Sequence, residues 1–345
     1  MTIDTITHIR MLWHGFEFYC TPATSIGVFP PRPAELISCS KRSPAKQISY
    51  WLRPHTSKTH LPVLFVHGIG VGLIPNIDFL HELDLALNPD RNNNDGGQVG
   101  VMAVEILQIS SRLTHAIPKR SDYLEQLAQI LDLHHFERFV LASHSYGSVL
   151  STYALTYEPL ASRVASTLFI DPVTILLHMP DVAYNFTARP PKHAKEWQLW
   201  FIGSKDPGVA YTLGRHFFWS ENILWYDRIL ELVEHGMNMT ASLGGRDLIV
   251  NTQAVRNYLA QHNVPHPVVE TDRKYVDSNK EDEVNVADWS TREWRGNGLE
   301  VVWFDDLDHA QVFDTRETRV KLVNILVEYS KDARSRFSGP YAVIS

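Results

Sequence analysis

Between residues 48 and 171 the chain alternates short apolar runs with longer segments in which apolar residues recur every three to four positions. ISYWLRP (48–54) predicts a strand. LPVLFVHG (61–68) predicts another, apolar through Val66 and closed by His67-Gly68. A run that is apolar at successive positions suits a central parallel strand, because helices cover both of its faces. GVMAVEILQI (100–109), RFVLAS (138–143) and VASTLFID (164–171) share this character. Between them, IDFLHELDLA (77–86) has helical spacing. Leu124, Leu127, Ala128 and Leu131 form an i, i+3, i+4, i+7 stripe behind Ser121, which is read as the helix N-cap. HSYGSVLSTYAL (144–155) follows RFVLAS without a spacer and predicts a helix. Strands alternating with helices imply a parallel sheet joined by right-handed crossovers.

After Pro172 the alternation stops. Residues 173–236 instead concentrate aromatics: Trp197, Trp200, Phe201, Phe217, Phe218, Trp219, Trp225 and Tyr226. The pattern resumes with MNMTASLGGRD (237–247) and LEVVWFDDLDH (299–309), and RETRVKLVNILVEYSKDARSR (316–336) predicts a closing helix. Residues 262–298 are polar and charged and are expected to be a surface excursion. Residues 1–46 lack clear periodicity and are expected to be an N-terminal extension, packed on the main domain or partly loose. The expected organisation is therefore a core of residues 47–172 and 237–345, interrupted by an inserted segment, 173–236.

Composition narrows the function. A net charge of -7 argues against a nucleic-acid partner, which calls for a basic stripe. Two cysteines, Cys20 and Cys39, exclude a disulfide-built scaffold and a cysteine-rich zinc site; one bridge between them is possible, but nothing demands it. The N-terminus carries Asp4 and no basic start leading into an apolar block, so a signal peptide is not expected and a cytoplasmic location is. No stretch approaches the roughly 20 apolar residues of a membrane span.

The chemistry is concentrated at strand ends. SHSYG (143–147) lies where an apolar strand meets a helix. A serine on that tight turn projects its hydroxyl above the sheet edge, and the residues two before and two after must be small, because the strand and helix backbones nearly touch. Here they are Ser143 and Gly147. Ser145 is thus the candidate nucleophile. HGIGVG (67–72) is a glycine-rich turn after another strand, able to aim backbone N–H groups at one point. Ile69 and Tyr146, the residue after the nucleophile, are the candidate donors to an oxyanion, each worth about 3 kcal/mol. The same turn is not a dinucleotide loop, since Leu73 stands where G-x-G-x-x-G needs glycine. His309, past the last strand, is the candidate general base. Asp247, in LGGRD, is the candidate acid that orients it, with Asp171 and Asp206 as rivals, each following an apolar run.

The order HGIG, SHSYG, GRD, DHAQVF, each after a strand, resembles the α/β-hydrolase superfamily over residues 48–335. The resemblance implies an eight-stranded, mostly parallel sheet with a cap inserted after the sixth strand, here residues 173–236. It implies an acyl-enzyme route on the triad Ser145, His309 and Asp247 with no metal or organic cofactor. The expected activity is hydrolysis of a small apolar or aromatic carboxylic ester, with Phe217, Phe218 and Trp219 lining the substrate pocket. Three alternatives share the same features: an acyltransferase, a thioesterase or lactonase, and a non-catalytic ligand-binding relative. A serine at the elbow argues against epoxide hydrolase or dehalogenase chemistry.

Overall fold

The computed structural model describes residues 3–32, 41–89, 97–260 and 293–331. Nine strands form one sheet: β1 Glu17–Cys20, β2 Lys41–Arg42, β3 Ser49–Arg53, β4 Val63–Val66, β5 Val101–Glu105, β6 Phe139–His144, β7 Val164–Ile170, β8 Asn238–Gly244 and β9 Leu299–Phe304. Their spatial order is β2-β1-β3-β5-β4-β6-β7-β8-β9. From β5 to β9 every pairing is parallel, and β3 is antiparallel to both β1 and β5. The expected mostly parallel sheet is present with one strand more than anticipated. Glu17–Cys20 completes the eight, and the two-residue Lys41–Arg42 adds a ninth at the edge. Strands of four and two residues are too short to show a period, although the helix Ile3–Trp13 in the same region is not and went unread in the sequence.

The apolar runs are buried on both sides, as their composition required. In β4, Val63 and Phe65 face one core while Leu64 and Val66 face the other. Leu124, Leu127, Val149 and Leu150, from the helices Arg120–Leu133 and Gly147–Leu155, fill the second core. Met11, Leu80, Leu83, Leu322 and Leu326, from the helices Ile3–Trp13, Ile77–Leu87 and Arg316–Ser330, fill the first. The stripe read at Leu124 is therefore a core face. Its cap is misplaced by two residues: the helix begins at Arg120, Lys119 takes the N-cap position without a side-chain cap, and Ser121 lies inside the first turn.

The N-terminal region is tied in by more than β1. Arg32 is buried against Glu105 at 3.1 Å and against Asp4 at 3.3 Å. Cys20 is disulfide-bonded, so the bridge that nothing in the sequence demanded is present. Between β7 and β8 the chain is helical in short pieces, the longest being Pro207–Arg215 and Tyr226–Glu234. The excursion expected over 262–298 lies almost wholly outside the described residues. Among those described, no helix is long and apolar enough to cross a membrane.

Candidate active site

The strands β6, β7, β8 and β9 are adjacent and parallel, so their C-terminal ends form one ledge. Ser145 stands on the turn after β6 with φ of 50°, a left-handed conformation that a non-glycine residue adopts only when its surroundings impose it. The surroundings are visible. Ser145 N–H donates to the Ile170 carbonyl at 2.9 Å, and the Ser145 carbonyl accepts from Ser148 Oγ at 2.6 Å. The following helix starts so close to β4 that a Cβ on Gly147 would stand 2.3 Å from the Val66 carbonyl oxygen. On the other side of the serine, a Cβ on Gly68 would stand 2.8 Å from the Ser145 Cβ. Both glycines are therefore required by backbone approach. Ser143, in place of the more usual glycine, is fully buried between Val66 and Phe169, and its hydroxyl has no partner among the described residues.

His309 follows β9 and reaches back over the ledge. Its Nδ1 lies 2.7 Å from Asp247 Oδ2, and its Nε2 lies 2.8 Å from Ser145 Oγ. An ionised carboxylate can only accept, so Nδ1 carries the proton; in the neutral ring Nε2 is then the acceptor facing the serine hydroxyl. Asp247 is itself held, since its Oδ1 accepts from the N–H groups of Ile249 and Val250 at 2.7 and 2.8 Å. Burial would lower the His309 pKa, but the charge and hydrogen bond of Asp247, with the charges of Asp171 and Asp308, outweigh it and raise it to about 9.

The two rivals for the acid have other tasks. Asp206 caps the helix Pro207–Arg215, accepting from Val209 N–H at 2.9 Å. Asp171 is buried at the end of β7, next to the site, with φ of 45°. Its oxygens accept from Gly244 N–H at 3.2 Å and from Ala310 N–H at 2.8 Å. It thus ties the end of β8 to the residue after His309. Burial raises its pKa, and the nearby Asp247 charge adds to that. Asp308 does similar work, accepting from Leu248 and His309 N–H groups at 2.9 and 2.7 Å. In the sequence Asp171 stands as a rival acid; in the structure its carboxylate braces backbone. The only signal available was its position after a strand.

Asp171, Asp247 and His309 bring one possible metal-ligand atom each to within 4.8 Å of one another. Both nitrogens of His309 are engaged, one by Asp247 and one by Ser145, and Asp171 accepts two backbone N–H groups. The cluster is laid out as a hydrogen-bond relay.

The backbone N–H groups of Ile69 and Tyr146 find no acceptor among the described residues. The turn that carries Ile69 is braced by His67. His67 is fully buried, its Nδ1 is 2.7 Å from the Gly68 carbonyl, and its Nε2 accepts from Ile106 N–H at 3.0 Å. Burial lowers its pKa, which keeps the ring neutral and able to accept.

Ser145, Ile69 and Tyr146 open onto a cavity of about 350 Å³. Its walls are mainly apolar and include Leu177, Val182, Phe186, Leu213, Phe217 and Trp219. Two of the three expected aromatics therefore line it. Phe218 does not: it is 57% exposed, at the N-cap of the short helix Trp219–Asn222. The Phe217–Trp219 stretch has no period from which its directions could be read.

No family model and no curated protein matches the chain. Among solved structures it is similar to a membrane phospholipase A described as a novel bacterial virulence factor, at 12% identity and a TM-score of 0.52, over 96% of this chain and 92% of that one. It is also similar to a candidate lipase (lip1) from Acinetobacter baumannii AYE, at 11% identity and a TM-score of 0.51, over 95% of this chain and 97% of that one. At such identities the likeness concerns architecture. The chain has the α/β-hydrolase fold.

Proposed function

We propose that the chain is a serine hydrolase that cleaves carboxylic esters with an apolar acyl or aromatic group. The observation that carries this reading is the unbroken relay Asp247–His309–Ser145 opening onto an apolar cavity beside two unengaged N–H groups. His309 Nε2 takes the Ser145 proton as Oγ attacks the ester carbonyl. The oxyanion forms against the Ile69 and Tyr146 N–H groups. The alcohol leaves with the proton from His309, and an acyl-serine remains. Water, deprotonated by His309, then releases the acid. No step calls for a metal or an organic cofactor. A panel of p-nitrophenyl esters of increasing chain length tests the reading, and an absence of turnover across the panel with correctly folded protein counts against it.

Chain length should matter in a particular way. Each methylene that enters the cavity contributes up to about 0.8 kcal/mol until the space is filled. kcat/KM is therefore expected to climb with acyl length and then fall sharply. Phe217→Ala and Trp219→Ala should move that fall to longer esters, while Phe218→Ala should leave it in place. Identical profiles for all three variants and the parent would mean that these aromatics only pack.

The raised His309 pKa sets the pH dependence. The base must be neutral, so activity should be low near pH 6 and rise with pH toward a plateau above about 9. Stability runs the other way. A histidine whose pKa is higher folded than unfolded contributes stability below about 6.5, and this is lost as pH rises through the folded value near 9. Measuring kcat/KM and the thermal midpoint over the same range checks both signs. A kcat/KM independent of pH between 6 and 9 would exclude His309 as the base where chemistry limits the rate.

A further inference from the structure

The helical piece Ala194–Gln198 runs directly into the π-helical segment Leu199–Ser204. On its inner side, Leu199 and Gly203 lie beside the Phe186 ring, and Phe186 lines the cavity. The segment is thus the outer layer of the cavity wall. Its outer side is also apolar. Trp197 is 52% exposed and Phe201 is 73% exposed, and their spacing of four puts them on one helical face. Trp200 packs on Trp197 with ring centroids 5.6 Å apart, and Lys205 Nζ sits 5.7 Å from the Trp200 ring centroid. An outer helix that is apolar on both sides has one face without a protein partner among the described residues.

The charge around that face is distinctive. From 189 to 215 the basic residues are Arg189, Lys192, Lys195, Lys205 and Arg215, and the acidic ones are Glu196 and Asp206. Both acids are already engaged. Glu196 accepts from the Lys192 and His193 N–H groups and lies 3.6 Å from Arg189, while Asp206 caps its helix. Lys195 lies 3.7 Å from Asp308. Lys192, Lys205 and Arg215 are exposed and have no carboxylate partner among the described residues. A chain with net charge -7 therefore carries unneutralised cations along this stretch: Lys205 beside Trp200, Lys192 just before the helix that holds Trp197, and Arg215 at the end of the helix that follows.

We propose that this face, Trp197 and Phe201 with Lys192, Lys205 and Arg215, docks the protein on an anionic lipid surface. Aromatic rings enter the boundary between headgroups and acyl chains, and the cations meet the negative surface potential. A second copy fits less well, because a two-fold contact through this face would set the same unneutralised cations against one another. Docking there also places the cavity wall against the phase that holds apolar esters.

The test is co-sedimentation of the full chain with vesicles of phosphatidylcholine alone and of phosphatidylcholine with phosphatidylglycerol in equal parts. Binding is expected to the mixed vesicles only and should weaken as salt is added. Each of Lys192→Gln, Lys205→Gln and Arg215→Gln should cost about fivefold in affinity, and the triple variant about a hundredfold. Trp197→Ala with Phe201→Ala should cost at least about tenfold. None of these residues lines the cavity, so turnover of a soluble short ester serves as the control for folding. Vesicle binding needs no catalysis, so it can fail while the hydrolase reading stands, and the reverse. Equal binding by parent and triple variant would overturn the proposal. So would a dimer in sedimentation velocity that the Trp197/Phe201 variant abolishes, since a second copy would then be the occupant.

Discussion

Ser145→Ala is expected to lower kcat on p-nitrophenyl esters by roughly 10⁵- to 10⁶-fold while leaving the fold intact. The side chain makes one hydrogen bond, to His309 Nε2 at 2.8 Å, and packs little. Alanine keeps the Cβ that already fits the left-handed turn, so the backbone strain at φ 50° is not increased. What disappears is the nucleophile, and without it no acyl-enzyme can form. The remaining groups can only assist attack by water, which is why loss of the nucleophile alone costs nearly as much as loss of the whole relay. A fluorophosphonate probe should label the parent and not the variant. Labelling of both at the same rate would show that the reactive group is elsewhere.

Asp247→Asn is expected to cost roughly 10⁴-fold. Asparagine is nearly isosteric, but its amide can present an N–H to His309 Nδ1. That favours the tautomer with the proton on Nε2, which cannot accept from Ser145. Asp206→Asn should change little, because asparagine caps a helix as well as aspartate does. Asp171→Asn should fall between them, on the order of tenfold, since one of the Gly244 and Ala310 N–H groups would lose its acceptor. Parallel kcat measurements on the three variants, with circular dichroism to check folding, decide the assignment. A larger loss at Asp171 or Asp206 than at Asp247 would move the role of the acid to that residue.

These expectations depend on features of unequal visibility in the chain. The central strands could be read because burial on both faces demands apolar residues at successive positions; β4 (VLFV) meets that demand at every position, and β5 to β7 meet it over most of their length. Ser145 and His309 could be placed because each follows such a run. The choice among Asp247, Asp171 and Asp206 could not be made from pattern alone. All three follow apolar segments, and only the folded ledge shows which carboxylate faces Nδ1. The braces formed by Asp171, Asp308 and His67 left no periodic trace, because each acts through backbone groups of residues distant in sequence. Phe217 and Phe218 were indistinguishable for the same reason: neighbours in an irregular turn point to different sides with no rule to say which is inward.

His309 hangs from β9, a strand that among the described residues pairs only with β8, and it lies 164 positions in chain order after Ser145. Biosynthesis therefore completes the Ser145 turn long before it supplies His309, the proposed base. A nascent polypeptide with β6 and its helix already collapsed would hold an inert hydroxyl, and reactivity would switch on only when the last strand zips onto the ledge. Recovery of esterase turnover during refolding should accordingly trail the return of core tryptophan fluorescence, because the longest-range closure is the slowest to form.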